Sequence, residues 1–253
     1  MTRKSYAKVN IFLKIIGQRD NYHQLVSRFI KIKDLFDIVS FKKSICSTFT
    51  LGGNFNCNTN QNTIYKAYVV LASQYPEVKR YFQTHRVMVE KNIPELAGLG
   101  GGSSNCATFI NMVNEACSLN LTKGTLANIG LSIGADIPFF IYEHDSANVT
   151  GIGEIVEKFD EKPINIDIFT PAIKCDTATI FKCFRNNFYK EIKSDEANKL
   201  LHMKSIDILK MLDIVEANDL YLPALSLNKE LKKYSTNDWY FSGTGSSFFR
   251  IKT

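Results

Sequence analysis

Residues 5–16 alternate in polarity. Ala7, Val9, Ile11, Leu13 and Ile15 share one face, and Lys8, Asn10, Phe12 and Lys14 share the other. That period of two predicts a strand with one face on a core. Stretches 35–41 and 45–51 predict further strands. Residues 62–74 carry Ile64, Ala67, Tyr68 and Leu71 at helical spacing, with Pro76 just beyond, and residues 86–91 predict a short strand with Val87 and Val89 inward. A glycine-rich stretch follows, then a helix with Ala107, Ile110, Val113 and Cys117 as its apolar stripe and Ser103 or Ser104 as its cap. A second helix over 122–133 is expected to end in a left-handed cap at Gly134, and Pro138-Phe139-Phe140 to lead into a strand.

A boundary is expected within 153–163, around Gly153 and Pro163. Beyond it the pattern predicts a strand at 165–170, helices at 176–185, 194–203, 205–217 and 227–233, and a hairpin over 239–249. Strands and helices mix without a strict βαβ rhythm, which favours an α+β fold over a doubly wound parallel sheet.

Composition changes this picture little. The 253 residues suffice for one large domain or two small ones. Lys and Arg exceed Asp and Glu by 31 to 25, a net +6 that suits a nucleotide, a nucleic acid or an acidic membrane surface equally. The six cysteines form no C-x-x-C pair and no zinc spacing, so reduced thiols in a cytoplasmic protein are expected. Asn10 and Lys14 interrupt the first apolar stretch, so no signal peptide is expected, and no apolar run approaches the ~20 residues of a membrane span.

Gly98-Leu99-Gly100-Gly101-Gly102-Ser103-Ser104 carries the strongest chemical signal. Glycine loses the most backbone entropy on folding, so a cluster of four implies a close approach to the backbone. Placed before a helix, such a loop aims its N–H groups and the helix dipole at one point, an anion site. The alternative is a flexible connection. The spacing fits neither the lysine-bearing P-loop nor the dinucleotide fingerprint. Cations for a bound phosphate must therefore come from Mg²⁺ and a lysine distant in sequence.

Other residues have chemical reach. Asp136, among apolar and aromatic neighbours, is either a general base or a turn and capping residue. Lys8 and Asn10 lie either on a solvated face or beside such a carboxylate, where a lysine would keep it ionised. Tyr22-His23, after a polar turn at Gln18-Arg19-Asp20-Asn21, is a loop pair or a reader of a nucleobase. Ser242-Gly243-Thr244-Gly245-Ser246 is a hairpin turn that could also pack against a ligand or the glycine loop.

Together, the blocks Ala7–Leu13, Asn21-Tyr22-His23, Pro94–Ala107, Gly134–Phe140, Gly151-Ile152-Gly153-Glu154 and Ser242–Ser246 resemble the GHMP kinase superfamily. Within it, the first block, the Tyr-His pair and the Gly-Ala-Asp block resemble the branch whose acceptor alcohol carries a cytidine diphosphate group. The resemblance implies a two-domain α+β fold, with an N-terminal domain (1–155) like ribosomal protein S5 domain 2 and a ferredoxin-like C-terminal domain (156–253). It implies ATP as phosphoryl donor, with Mg²⁺, and phosphorylation of a hydroxyl in the non-mevalonate route to isoprenoid precursors. No nucleic-acid or membrane partner is implied. Asp136 matches the catalytic base and Lys8 its partner. Asn10 matches a substrate contact, His23 with Tyr22 the cytosine reader, and Thr177 a position near the cytidine. Pro94, Glu95, Leu96, Ala97, Gly98, Leu99, Gly100, Gly101, Gly102, Ser103 and Ser104 match the ATP phosphate loop, and Asn62 an ATP contact. Tyr6, Asn21, Leu96 and Cys106 depart from the family pattern, replacing proline, glycine, glycine and alanine. Three rival readings are a kinase of mevalonate, homoserine or a sugar, whose acceptors give a Tyr-His reader no nucleobase; a basic nucleic-acid-binding module; and a nucleotide-binding protein without turnover, which Leu96 keeps open.

Overall fold

The alternation in residues 5–16 is the centre of an 18-residue strand, β1 (Thr2–Arg19). A computed structural model of the chain describes residues 1–19, 22–190, 194–236 and 238–252. The turn expected at Asp20 and Asn21 lies outside them. In chain order there follow β2 (Tyr22–Lys43), β3 (Leu51–Gly53), α1 (Thr63–Gln74), α2 (Pro76–Tyr81), β4 (His85–Glu90), α3 (Gly101–Ala116), α4 (Lys123–Leu131), α5 (Ile137–Tyr142) and β5 (Ser146–Gly151). Then come β6 (Ile155–Lys158), β7 (Ile166–Phe169), α6 (Thr177–Cys183), α7 (Ser194–Leu200), α8 (Ser205–Met211), α9 (Ile214–Ala217), α10 (Tyr221–Leu227), β8 (Tyr240–Phe241) and β9 (Phe248–Ile251). Strands and helices are thus mixed, as an α+β fold requires.

The chain forms two units that interleave in sequence: Met1–Ala7, Lys33–Ile93 and Gly100–Glu143 in one, Lys8–Ile32, Pro94–Leu99 and His144–Thr253 in the other. This is a different division from a single cut at residue 155. Indeed β5 and β6, on either side of that position, pair with each other.

In the first unit, the C-terminal half of β2 pairs antiparallel with β4, from Ile38 opposite Glu90 to Lys43 opposite His85. β3 runs parallel to β4 on its other side. Helix α3 packs on α1 and α5. The rings of Phe41, Phe82 and Phe109 meet at 5.2 to 5.7 Å, pairs worth about 0.5–1.5 kcal/mol each beyond their burial.

Several expectations are corrected here. Of the strand expected at 45–51 only Leu51 belongs to β3, because Phe49 turns to stack on Tyr68 at 3.9 Å. Helix α3 begins two residues before Ser103, with left-handed Gly100 as its N-cap and no side-chain cap. Helix α4 ends at Leu131, and Gly134 is not among the left-handed glycines; its amide instead donates to the carbonyl of Gly130 at 3.0 Å. Pro138-Phe139-Phe140 is helical. Proline fits the first turn of a helix, whose N–H groups have no intrahelical partner, and an apolar run buried on all sides carries no period to separate helix from strand.

In the second unit, the N-terminal half of β2 pairs antiparallel with β5, from Leu25 opposite Gly151 to Ile30 opposite Ser146. A separate antiparallel sheet has the order β7-β9-β8. Its core gathers Leu13, Ile15, Ile180, Phe184, Leu220, Tyr221, Leu231, Phe241 and Phe248. The helix expected over 205–217 is two helices, because extended Leu212 breaks it and Asp213 starts α9 with a capping box to Glu216. Helices α2 and α10 were not legible in the pattern, and the helix expected at 227–233 is a 3₁₀ turn over Lys229–Tyr234.

Arg28 ties this unit together. It is fully buried, and it donates to Asn148 Oδ1 at 2.6 Å and to the Leu201 carbonyl at 2.9 Å. It stacks on Phe159 and pairs with Glu161 at 3.7 Å. Burial lowers its pKa to about 10, against the opposing pull of Glu161. Glu161 itself accepts from Ser146 and twice from Ser205. Removing one member of a buried pair strands the other charge, so Glu161→Ala should cost about 3–5 kcal/mol, read as a lower urea midpoint. An unchanged midpoint would show that Arg28 needs no countercharge.

Candidate active site

The glycine loop begins in the second unit with Pro94 and Glu95, and its next four carbonyls are all engaged. Leu96 O accepts from Cys175 N at 3.1 Å, and Ala97 O from Ser247 N at 3.0 Å. Gly98 O accepts from Ser242 Oγ at 3.0 Å, and Leu99 O from Lys8 N at 3.0 Å. In a trans peptide the N–H of the next residue points opposite to the carbonyl. The amides of Ala97, Gly98, Leu99 and Gly100 therefore point away from these partners, all carried by one short stretch. Backbone amides turned away from the fold in this manner are groups that can bind an anion.

The hairpin turn after β8 packs directly on this segment. Gly98 is left-handed (φ 73°), and a Cβ there would run into the Ser242 carbonyl and stand 2.8 Å from Gly245 N. Leu96, which departs from the glycine that the resemblance implies, is also left-handed at φ 54° and half-exposed. A leucine thus holds a conformation that favours glycine, at a cost of roughly 1–2 kcal/mol.

Lys8 and Asn10 lie together beside the turn. Their face of β1 is not solvated: Lys8 is 3% exposed and Asn10 1%. Lys8 Nζ donates to Asn10 Oδ1 at 2.5 Å and sits 4.6 Å over the Phe29 ring. Asn10 Nδ2 donates to Ser27 Oγ at 3.1 Å. Thr177, exposed at the start of α6, shares a hydrogen bond with Thr244 of the turn at 3.1 Å. The second-strand histidine, His23, stacks on Phe181 at 5.1 Å and meets Phe184 edge-on at 5.7 Å. Burial, with the nearby Arg185 cation adding to it, lowers the pKa of His23 and favours its neutral form. Among the described residues its buried Nε2 has no hydrogen-bond partner. Tyr22 opens β2, and its side chain lies outside the described residues.

The rest of the loop belongs to the first unit. Gly101 and Gly102 open α3, and Ser103 follows half-buried. A Cβ on Gly101 would press on Ile93 at 2.9 Å and stand 3.4 Å from Lys91 Nζ. Ser104 is buried and accepts from Ser5 Oγ at 2.8 Å, so its hydroxyl seats the helix. Asn62 caps α1 by accepting from Ile64 N, and the next residue, Thr63, donates to the Gly102 carbonyl at 2.8 Å. Asp136 stands half-buried at the N-cap position of α5. Its carboxylate makes no capping bond to that helix, which removes the capping alternative.

Sequence reasoning missed Asp37, Lys91 and Asn105. Asp37, fully buried, accepts from Lys91 Nζ, Asn105 Nδ2 and the amides of Asn92 and Ile93. A charged residue inside the apolar run 35–41 was the available signal. It missed Phe181 and Phe184 too, which read as ordinary core positions.

Residues 62–144 match the family described as GHMP kinases N terminal domain. A 4-diphosphocytidyl-2-C-methyl-D-erythritol kinase of Sulfurimonas denitrificans is 49% identical, covering 98% of this chain and 96% of the relative. One from Campylobacter jejuni is 39% identical, covering 98% and 99%. A crystal structure of 4-(cytidine 5'-diphospho)-2C-methyl-D-erythritol kinase has a TM-score of 0.73 at 25% identity, over 99% of this chain and 90% of that one. Mevalonate kinase of Methanococcus jannaschii shares the fold, at a TM-score of 0.64 and 14% identity over 100% of this chain and 90% of that one. The fold is that of the GHMP kinases. Within them, the chain belongs to the 4-diphosphocytidyl-2-C-methyl-D-erythritol kinase family.

Two of the left-handed positions in the loop, Gly98 and Leu96, should respond oppositely to substitution. Gly98→Ala should weaken ATP binding at least about tenfold by calorimetry, because backbone must move to admit the methyl group. Leu96→Gly should leave stability within about 1 kcal/mol, since relieved strain offsets the added unfolded-chain entropy. Normal ATP affinity in Gly98→Ala would separate the loop from the nucleotide.

Proposed function

We propose that this chain transfers the γ-phosphoryl group of ATP to a hydroxyl of 4-diphosphocytidyl-2-C-methyl-D-erythritol, giving the 2-phosphate, in the non-mevalonate route to isoprenoid precursors. The row of carbonyls from Leu96 to Leu99, all bonded within the fold so that the following amides face the other way, carries the reading. Family membership supports the choice of acceptor.

Phosphoryl transfer has a loose transition state, so catalysis is chiefly positioning and charge stabilisation. The loop from Pro94 to Ser104 and Asn62 hold ATP. Asp136 orients the acceptor hydroxyl, with Lys8 as its cationic partner and Asn10 as an acceptor contact. Tyr22 and His23 hold the cytosine, near Thr177. The neutral, buried imidazole of His23 supports this role: its Nε2 awaits a partner, and a cytosine edge offers both a donor and an acceptor.

Among the described residues no group of three or more carboxylate, imidazole or thiol side chains is placed to hold a metal ion. These residues therefore build no cage for Mg²⁺, which suits an ion that keeps most of its waters and rides on nucleotide phosphates. No described helix is long and apolar enough to cross a membrane. The six cysteines are free, which supports a reducing, cytoplasmic site of action. The mevalonate and homoserine readings have only fold-level likeness behind them, at 14% identity. Nothing in the structure favours the nucleic-acid module.

In an ATP-consumption assay, the cytidyl substrate should be turned over and mevalonate and homoserine should not. Asp136→Asn should lower kcat by at least ~10²-fold with ATP affinity nearly intact, the scale of a positioned base. Near-normal turnover would remove Asp136 from the mechanism. His23→Ala should raise KM for the cytidyl substrate and spare that for ATP. An equal rise in both would refute the cytosine-reading role.

A further inference from the structure

Asn218, between α9 and α10, is 2% exposed and uses its whole amide. Its Nδ2 donates to the carbonyls of Phe241 and Gly243, both at 2.9 Å, and its Oδ1 accepts from Leu220 N at 2.9 Å. The last of these closes a local turn two residues long, ahead of the Leu220 N-cap of α10. The two donations grip the chain on either side of Ser242.

What Ser242 and Gly243 touch gives those bonds their meaning. Ser242 Oγ donates to the Gly98 carbonyl at 3.0 Å and accepts from Asn10 N at 3.4 Å. Gly243 is left-handed (φ 56°), and a Cβ there would stand 3.2 Å from Asn10 Oδ1 and 3.4 Å from Lys8 Nζ. One amide therefore sets the planes of the peptides that carry these contacts. Its own position is fixed by the next residue. Asp219 N donates to Leu13 O at 3.0 Å, and the Asp219 carboxylate accepts from Ile15 N at 2.7 Å and pairs with Lys14. The segment is thereby tied to the strand that carries Lys8 and Asn10.

We infer that Asn218 is a positioning residue for phosphoryl transfer, acting through the Ser242-Gly243 turn on Lys8, Asn10 and Gly98. The inference rests on the kinase reading above.

The test compares steady-state kinetics, with ATP and 4-diphosphocytidyl-2-C-methyl-D-erythritol, for wild type, Asn218→Asp, Asn218→Ser and Leu231→Ala. An ionised carboxyl matches the amide in shape but has no donor for either carbonyl. Asn218→Asp should lower kcat about tenfold or more, since small misplacements of reacting groups are costly. KM for the cytidyl substrate should stay within about threefold, because His23 is held by β2 and the α6 aromatics. Asn218→Ser, which keeps one donor, should fall between. Leu231→Ala opens a cavity in the same core without touching the two carbonyls; its Tm should drop while kcat stays within about twofold below the melt. A kcat for Asn218→Asp within about twofold of wild type would overturn the inference. So would a loss in Leu231→Ala as large as that in Asn218→Asp. Should Asn218→Asp fail to fold, Asn218→Ser carries the same test: a lowered kcat at constant KM is expected, and an unchanged kcat overturns the inference. A wild type without turnover would overturn the kinase reading along with it, whereas an active wild type beside unimpaired Asn218 variants would overturn this inference alone.

Discussion

The approach of Gly98 to the Ser242–Gly245 turn governs the geometry around the loop. Backbone meets backbone there with no room for a side chain. Residues 96–99 consequently run as an extra tie within the second unit, with each carbonyl bonded. Four such bonds supply about 4 kcal/mol at ~1 kcal/mol net each. Burial of Leu99 adds about 2 kcal/mol. Ordering four residues costs about 4–8 kcal/mol. The two sides nearly balance, so the loop keeps its shape with little to spare, and every carbonyl contact matters to where its amides point.

A different constraint governs the helix that continues the loop. The start of α3 is the positive end of a 16-residue helix, and Lys91 brings an ammonium beside Gly101. Two like charges at one place would oppose each other. Asp37 resolves this by pairing with Lys91 while accepting two backbone amides and Asn105. A buried pair of this kind contributes little net stability. Its effect is positional: Asn105 links the pair to Ser5, and Ser5 to Ser104, so the first turn of α3 is fixed from three sides.

What could be read in the sequence follows from these physics. The glycine loop and β1 were legible because glycine clustering and strict alternation are local signals. Helix α1 was legible for the same reason. Pro138-Phe139-Phe140 was not, since a segment buried all round has no period to reveal its type. The first half of β2 escaped notice because Arg28, Ser27 and His23 look like a surface stretch until the partners that bury them are known. Asn218 gave no signal, because its meaning lies in two carbonyls more than twenty residues away.

Where the chain is least comfortable is also informative. Leu96 sits in a left-handed conformation that favours glycine, and His23 keeps a buried nitrogen with no hydrogen-bond partner among the described residues. An unsatisfied buried polar group costs about 1–3 kcal/mol, and a left-handed leucine roughly 1–2 kcal/mol. Both lie on residues that the family resemblance assigns to ligands, one to the triphosphate and one to the cytosine. Strain kept at those two points, while Arg28 and Asp37 are satisfied so fully elsewhere, is the pattern that functional sites show.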